Sequence, residues 1–348
     1  MNYYRNIDRT KIQYDFIIDD DSSNPHLQAE IVSLGGRVIT VPPYQKPLAY
    51  HKALYQLFRQ NHYPLVYSHI NTLSVFPLFA AWRAGVPIRA AHSHSTAGKG
   101  ETLRNILKYF LRPFAKVFPT HMFACSEYAG RWLFGDRAFN SGRVKVWNNA
   151  IDTERFAYSE QVRQETRKAL GLADRFGVGH SGRFVTTKNH TFLVDIFAEI
   201  HSRRSDSVLL LAGDGSLMHD VKAKVSRLGL SECVVFLGSV DDMERYYQAM
   251  DVFVMPSLYE GLGMSAVEAQ VAGLPVVCST ELPVEAKICE NLHFISLKAS
   301  PSYWADEALR ISEGLSRKDM TSSAQKFGFD IRTEAAKLSE WYCELLGL

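Results

Sequence analysis

Short apolar runs alternate with longer stretches of helical spacing along most of the chain. "YDFIID", "GRVITV", "PLVYSHI", "IRAAHSH", "HMFACS" and "VKVWNN" punctuate the first half; "GVGHSGR", "VLLLAGDG", "CVVFLGS", "DVFVMPS" and "PVVCST" punctuate the second. Runs of this length between turn residues read as buried strands. Their alternation with helices predicts a doubly wound α/β architecture. The charged segment 151–175, centred on "ERFAYSEQVRQETRKAL", breaks the rhythm and reads as a connection between two halves. Two such halves commonly bind ligand in the cleft between them, outside the carboxyl ends of their strands.

The stretch "YEGLGMSAVEAQVAGLPVV", residues 259–277, is the most informative. After Gly263, Met264, Val267 and Val271 have helical spacing, and Gly273-Leu274-Pro275 supplies the stop. This is strand, glycine loop, helix, strand. The free N–H groups and dipole at such a helix start favour an anion, and Gly261 and Gly263 let the backbone approach it closely. A diphosphate fits, with Glu260 and Glu268 left to hydrogen-bond neutral hydroxyls. From these residues alone a plainer reading is equally open: Glu260 caps the helix and Glu268 is solvated. "GHSGRFVTTKNH" adds Arg183 and Lys188, five residues apart. A guanidinium fork and an ammonium suit two adjacent phosphates, although paired loop cations are often only surface groups.

Composition removes several classes. With 348 residues, 46% hydrophobic, the chain is long enough for two domains with their own cores. A net charge of +2, without an aromatic-basic module, gives no sign of nucleic-acid binding. The five cysteines are scattered without C-x-x-C pairing, which suits a reducing cytoplasm and argues against zinc or a disulfide framework. No apolar run approaches the roughly 18 residues of a membrane span, and "MNYYRNIDRTK" does not read as a signal peptide. Asp19, Asp20 and Asp21 form an acid run in the wrong half for a metal site and read as a polar loop. "AGKGET" lacks the phosphate-loop pattern.

"SGRFVTTKNHTFLVDIF", "LLLAGDG" and "VVFLGSVDDMERYYQAMDVFVMPSLYEGLGMSAVEAQVAGLPVV" together resemble a glycosyltransferase of the GT-B fold, family 4. "YEGLGMSAVE" matches the superfamily's two glutamates separated by seven residues. "YSHINTLSVFPLFAAWRAGVPIRAAHSHS" and "NNAIDTERF" are similar to the branch that builds bacterial exopolysaccharide and capsule repeats. The resemblance covers nearly the whole chain. It implies two Rossmann-like domains facing each other across a cleft: 1–158 on the acceptor side, joined by a crossing helix 330–348, and 170–329 for the nucleotide sugar. It also implies a retaining hexosyl transfer, usually from a uridine diphosphate sugar that is substrate and not cofactor, to an acceptor hydroxyl. No metal is expected.

By the same resemblance, Arg183 and Lys188 neutralise the diphosphate, helped by backbone N–H groups at Leu262, Gly263 and Met264. Glu260 and Gly261 hold the transferred sugar, and Glu268 holds the ribose diol. His94 stands where the family places a histidine near the reaction centre; His92, on the same side of its strand, and His69 are weaker candidates. "LRNILKYFLRPFAKVFPTH" spaces Lys108, Arg112 and Lys116 four apart among Leu107, Phe110, Leu111 and Phe114. Within the 103–121 region such a helix can lie on an anionic membrane, as a lipid-linked glycan acceptor would require, or its apolar residues can be ordinary core. The protein is then cytoplasmic, peripheral on the inner face of the membrane. Relatives begin with an apolar strand and a glycine-rich turn that this sequence lacks, so a break in the first sheet is expected. Two rivals stay open: a non-catalytic GT-B subunit partnering an active transferase, and a nucleotide-sugar epimerase.

Overall fold

A computed structural model describes residues 1–18, 25–95, 102–314 and 316–348, with backbone alone at 102–104. Asp19, Asp20, Asp21 and residues 97–101 of "AGKGET" lie outside the described residues. The chain forms two units. The first takes residues up to Ala150 and Asp330–Leu348; the second takes Ile151–Phe329.

In the first unit the strands are β1 (Asp15–Ile18), β2 (Arg37–Thr40), β3 (Leu65–Ser68), β4 (Ile88–Ser93), β5 (His121–Ala124) and β6 (Val144–Val146). Each falls in an apolar run predicted as a strand. β1 and β2 form one parallel pair and β3-β4-β5-β6 a separate parallel ladder. Alternation along β3 to β5 divides the core between two faces. Val66, Ala91 and Met122 face one cluster with Leu54, Phe58 and Leu78. Ala90 and Phe123 face the other, with Tyr4, Leu338, Trp341 and Tyr342. The helix that brings Leu338, Trp341 and Tyr342 to that second cluster is bound by polar contacts as well. Asp330 caps the Ile331–Leu346 helix by accepting the Thr333 N–H at 2.9 Å, and Tyr14 donates to the Tyr342 hydroxyl at 2.8 Å.

In the second unit the strands are β7 (Phe176–Ser181), β8 (Ser207–Ala212), β9 (Val234–Gly238), β10 (Val252–Met255), β11 (Val276–Ser279) and β12 (Leu292–Ile295). They form one parallel sheet, ordered β12-β11-β10-β7-β8-β9. β8, β10 and β11 are buried throughout, as expected of parallel strands covered on both faces. β12 was not foreseen, because "LHFI" is short and broken by a histidine.

The segment 151–175 is not a free connection, and residues 151–158 belong to the second unit rather than the first. The Glu160–Ala169 helix is capped by Ser159 and locked to the loop before β10. Arg163 donates to the Gln248 and Met250 carbonyls, each at 2.8 Å, and Arg167 donates to the Ala249 carbonyl at 2.8 Å. Asp251 pairs with both arginines and accepts the Gly177 N–H at 2.6 Å. The charge pattern that suggested a connection thus satisfies carbonyls at a helix end.

Candidate active site

β7 and β10 lie side by side, while the chain winds outward from β7 to β9 on one flank and from β10 to β12 on the other. At such a switch point the loops leaving the strand ends diverge and open a crevice. Both sequence motifs arrive there. Ser181 ends β7 and leads to Arg183 and Lys188; Met255 ends β10 and leads to Glu260 and Gly263.

Bare backbone shapes the first loop. A Cβ on Gly213 would lie 2.2 Å from the Gly182 carbonyl oxygen, and its φ of +132° also demands glycine. Phe184 donates its N–H to the Asp214 carbonyl at 2.8 Å and buries its ring completely. With both neighbours pinned, Arg183 stays exposed, and its guanidinium has no hydrogen-bond or ion-pair partner among the described residues. Lys188 closes the 3₁₀ turn Thr186–Lys188. Two bonds tie this loop to the second: Leu258 N–H to the Thr187 carbonyl at 2.8 Å, and Asn189 Nδ2 to the Pro256 carbonyl at 3.1 Å.

Lys188 Nζ then meets Glu260 Oε1 at 2.7 Å, with both side chains mostly buried. Glu260 is therefore not the cap of the Met264–Val271 helix. Gly263 is, at φ +86°, and no side chain caps that end. A Cβ there would lie 2.1 Å from Leu282 Cδ1. Leu262 is buried just before it, and Met264 is the first helical residue. A helix head without a side-chain cap, beside Lys188 and Arg183, presents a concentrated positive potential.

Glu268 is not a solvated surface acid. Tyr247 Oη donates to its Oε2 at 2.8 Å, and Ser181 Oγ lies 2.8 Å from the same Tyr247 oxygen. Since the tyrosine proton goes to the carboxylate, the serine hydroxyl donates to Tyr247. Desolvation raises the Glu268 pKa to about 7; the Tyr247 hydrogen bond opposes this and the nearby Glu244 charge adds to it. Tyr247 and Ser181 had no sequence signal, being one aromatic in "RYYQAM" and one serine at a strand end.

His94 follows β4 in the first unit. Its backbone N–H donates to Asn71 Oδ1 at 2.7 Å, and its Nε2 lies 2.9 Å from His69 Nδ1. Its ring stacks on His92 at 4.1 Å, as strand alternation predicted, and His92 Nδ1 pairs with the Tyr67 hydroxyl at 3.0 Å. Desolvation lowers the His94 pKa to about 4, against the opposing effect of a hydrogen bond to Asn149. Desolvation also pushes buried His92 down, and the neighbouring histidines add to it. Burial thus favours the neutral form of His92 and His94. The ligating atoms of His69, His92 and His94 lie within 4.8 Å of one another. Two imidazoles on a tetrahedral zinc would have ring centres about 5 Å apart, given Zn–N bonds of about 2.0–2.1 Å. The 4.1 Å stack of His92 on His94 does not fit that arrangement.

A six-stranded parallel sheet that gathers both motifs at its switch point, following a first parallel α/β unit, matches the GT-B glycosyltransferase architecture. Comparison with known proteins agrees. A family model described as "Glycosyltransferase Family 4" matches residues 3–155, and one described as "Glycosyl transferases group 1" matches residues 175–312. The chain is 34% identical to the putative glycosyltransferase EpsF of Bacillus subtilis, over 98% of this chain and 91% of that protein. It is 29% identical to an Escherichia coli UDP-Gal:alpha-D-GlcNAc-diphosphoundecaprenol alpha-1,3-galactosyltransferase, over 65% of this chain and 60% of that one. Among solved structures, Anabaena Alr3699/HepE in complex with UDP superposes with a TM-score of 0.78 at 22% identity, covering 99% of this chain and 94% of that one. The chain belongs to the family 4 glycosyltransferases.

Proposed function

We propose that the protein is a retaining, metal-independent hexosyltransferase in exopolysaccharide or capsule assembly. Its donor is a uridine diphosphate sugar, and its acceptor is a hydroxyl on a lipid-linked glycan, met at the membrane surface. The observation that carries this reading is the Lys188–Glu260 pair beside the uncapped Met264–Val271 helix, at the switch point of the second sheet. Two relatives support the choice of substrates: HepE was captured with UDP and with UDP-glucose, and the E. coli enzyme is named for a UDP-Gal donor and a diphosphoundecaprenol-linked acceptor. No helix among the described residues is long and apolar enough to cross a membrane.

In this reading Arg183, Lys188 and the N–H groups from Leu262 to Met264 receive the diphosphate. Negative charge builds there as the glycosidic bond breaks, so fixed donors lower the barrier. Arrival of the diphosphate draws Lys188 from Glu260, freeing that carboxylate to accept hydroxyls of the transferred sugar alongside Gly261. Glu268, oriented by Tyr247, accepts the ribose diol. Neutral His94 gives the transferred sugar a hydrogen bond. Glu260 and Glu268 are binders, not the opposed acid and nucleophile of a glycosidase. The acceptor hydroxyl attacks from the face the leaving group departs, its proton passing to a donor phosphate oxygen.

The test is a screen of nucleotide sugars for nucleoside diphosphate release, with and without a lipid-linked acceptor. Acceptor-dependent UDP release with formation of a glycosylated lipid is the expected result. Free sugar with no acceptor requirement would favour an epimerase, and tight UDP binding without turnover would favour a non-catalytic subunit.

A further inference from the structure

Residues 102–126 contain four cations, Arg104, Lys108, Arg112 and Lys116, and not one aspartate or glutamate. Residues 102–116 fold as the Thr102–Leu111 helix, followed by a 3₁₀ turn over Arg112–Lys116 with Pro113 in its first turn. Within residues 105–117 only a narrow stripe is core: Leu111 is 5% exposed and Ala115 is buried. The rest of its apolar surface faces out. Ile106 is 62% exposed and Phe110 69% exposed, and Tyr109, Phe114 and Val117 are exposed as well. At 100° per residue, Ile106, Tyr109 and Phe110 share one outward arc, with Lys108 and Arg112 along its flank. The Phe110 and Phe114 rings lie 6.3 Å apart and carry the ridge past the helix end, where Lys116 is exposed beside Val117. Ordinary surfaces scatter single apolar residues; a contiguous aromatic ridge marks a contact site.

We propose that this ridge docks the protein on an anionic lipid bilayer, its apolar tips entering the headgroup layer and its cations meeting lipid phosphates. The absence of acids selects the partner. A protein partner or a second copy would be served by apolar contact alone, whereas lysines and an arginine beside aromatic tips, with no acid in the segment, match a negatively charged interface. The inference rests on the proposed lipid-linked acceptor and locates the face that meets it.

The experiment is vesicle co-sedimentation, with UDP release from the donor measured in parallel without vesicles. The wild type should bind phosphatidylglycerol-containing vesicles and lose that binding in high salt or on pure phosphatidylcholine. Ile106→Ser with Phe110→Ser should weaken binding by about tenfold or more, and Lys116→Glu by at least about fivefold. Both variants alter exposed side chains, so melting and vesicle-free UDP release should stay at wild-type values. Equal binding by wild type and variants, or none to anionic vesicles, would overturn the proposal. So would a wild-type dimer that Phe110→Ser dissociates, which would assign the ridge to a second copy. Vesicle binding that persists in a protein inactive on every donor would leave the docking face standing and remove the transferase reading.

Discussion

Arg183→Ala separates chemistry from folding more cleanly than any other change in the site. The guanidinium is exposed and unpartnered among the described residues, while its loop is held by Phe184 and by the close passage of Gly213. Truncation removes no hydrogen bond or ion pair among the described residues, so the stability change should stay within about 0.5 kcal/mol, as at ordinary surface positions. The loss in the transition state is different. A fixed donor facing developing charge is worth about 3–4 kcal/mol, and each 1.4 kcal/mol is roughly tenfold in rate. Turnover should therefore fall roughly 100- to 1,000-fold at saturating donor. Lys188→Ala is the comparison. It should lower turnover similarly but also destabilise the fold, because Glu260 is left mostly buried without its cation. Turnover by UDP release and melting by differential scanning calorimetry read the two quantities. A near-normal rate for Arg183→Ala would refute the diphosphate assignment, and a melting loss as large as that of Lys188→Ala would refute the structural contrast.

His94→Ala should leave UDP affinity nearly unchanged in calorimetry and lower transfer, since its assigned partner is the sugar. Normal transfer would return His94 to a stacking role. The raised Glu268 pKa, about 7, sets a pH dependence. The ribose diol needs the ionised carboxylate, so UDP affinity should rise with pH up to about 7 and then level, and Glu268→Gln should remove that component. The sign for stability is opposite: the empty fold holds a proton that the unfolded chain releases, so this group's contribution is lost as pH rises from the ordinary carboxylate range through 7. Tyr247→Phe should weaken UDP binding by about tenfold, the worth of one hydrogen bond to a charged group; unchanged affinity would show that Glu268 needs no positioning. Gly263→Ala should lower both stability and UDP affinity, because a side chain at φ +86° meets Leu282 and fills the helix head.

The strands of both units, β12 excepted, were legible because buried parallel strands are short, apolar and bounded by turn residues. The helix head at Gly263 was legible because glycine there has few alternative uses. The polar framework was not. Tyr247 reaches Glu268 from another helix, and Asn71 holds the His94 backbone from the loop after β3; neither link leaves a periodic trace. The arginines of the 160–169 helix misled in the opposite way, since charge looks like solvent exposure whether it meets water or backbone carbonyls. The 103–121 ridge was undecided in sequence, because an apolar stripe looks the same facing core or facing out. Burial separates Leu111 from Phe110.

The central claim is that a nucleoside diphosphate is held at the β7/β10 switch point by Arg183, Lys188 and the Met264–Val271 helix head. A crystal structure with UDP bound tests it most directly. The account predicts the distal phosphate within hydrogen-bond reach of Arg183, Lys188 and the backbone N–H groups from Leu262 to Met264. It also predicts the ribose hydroxyls on Glu268, and Lys188 Nζ drawn from the 2.7 Å contact it makes with Glu260 without ligand. UDP bound elsewhere on the second unit, or bound here with the Lys188–Glu260 pair intact and no phosphate at the helix head, would contradict it.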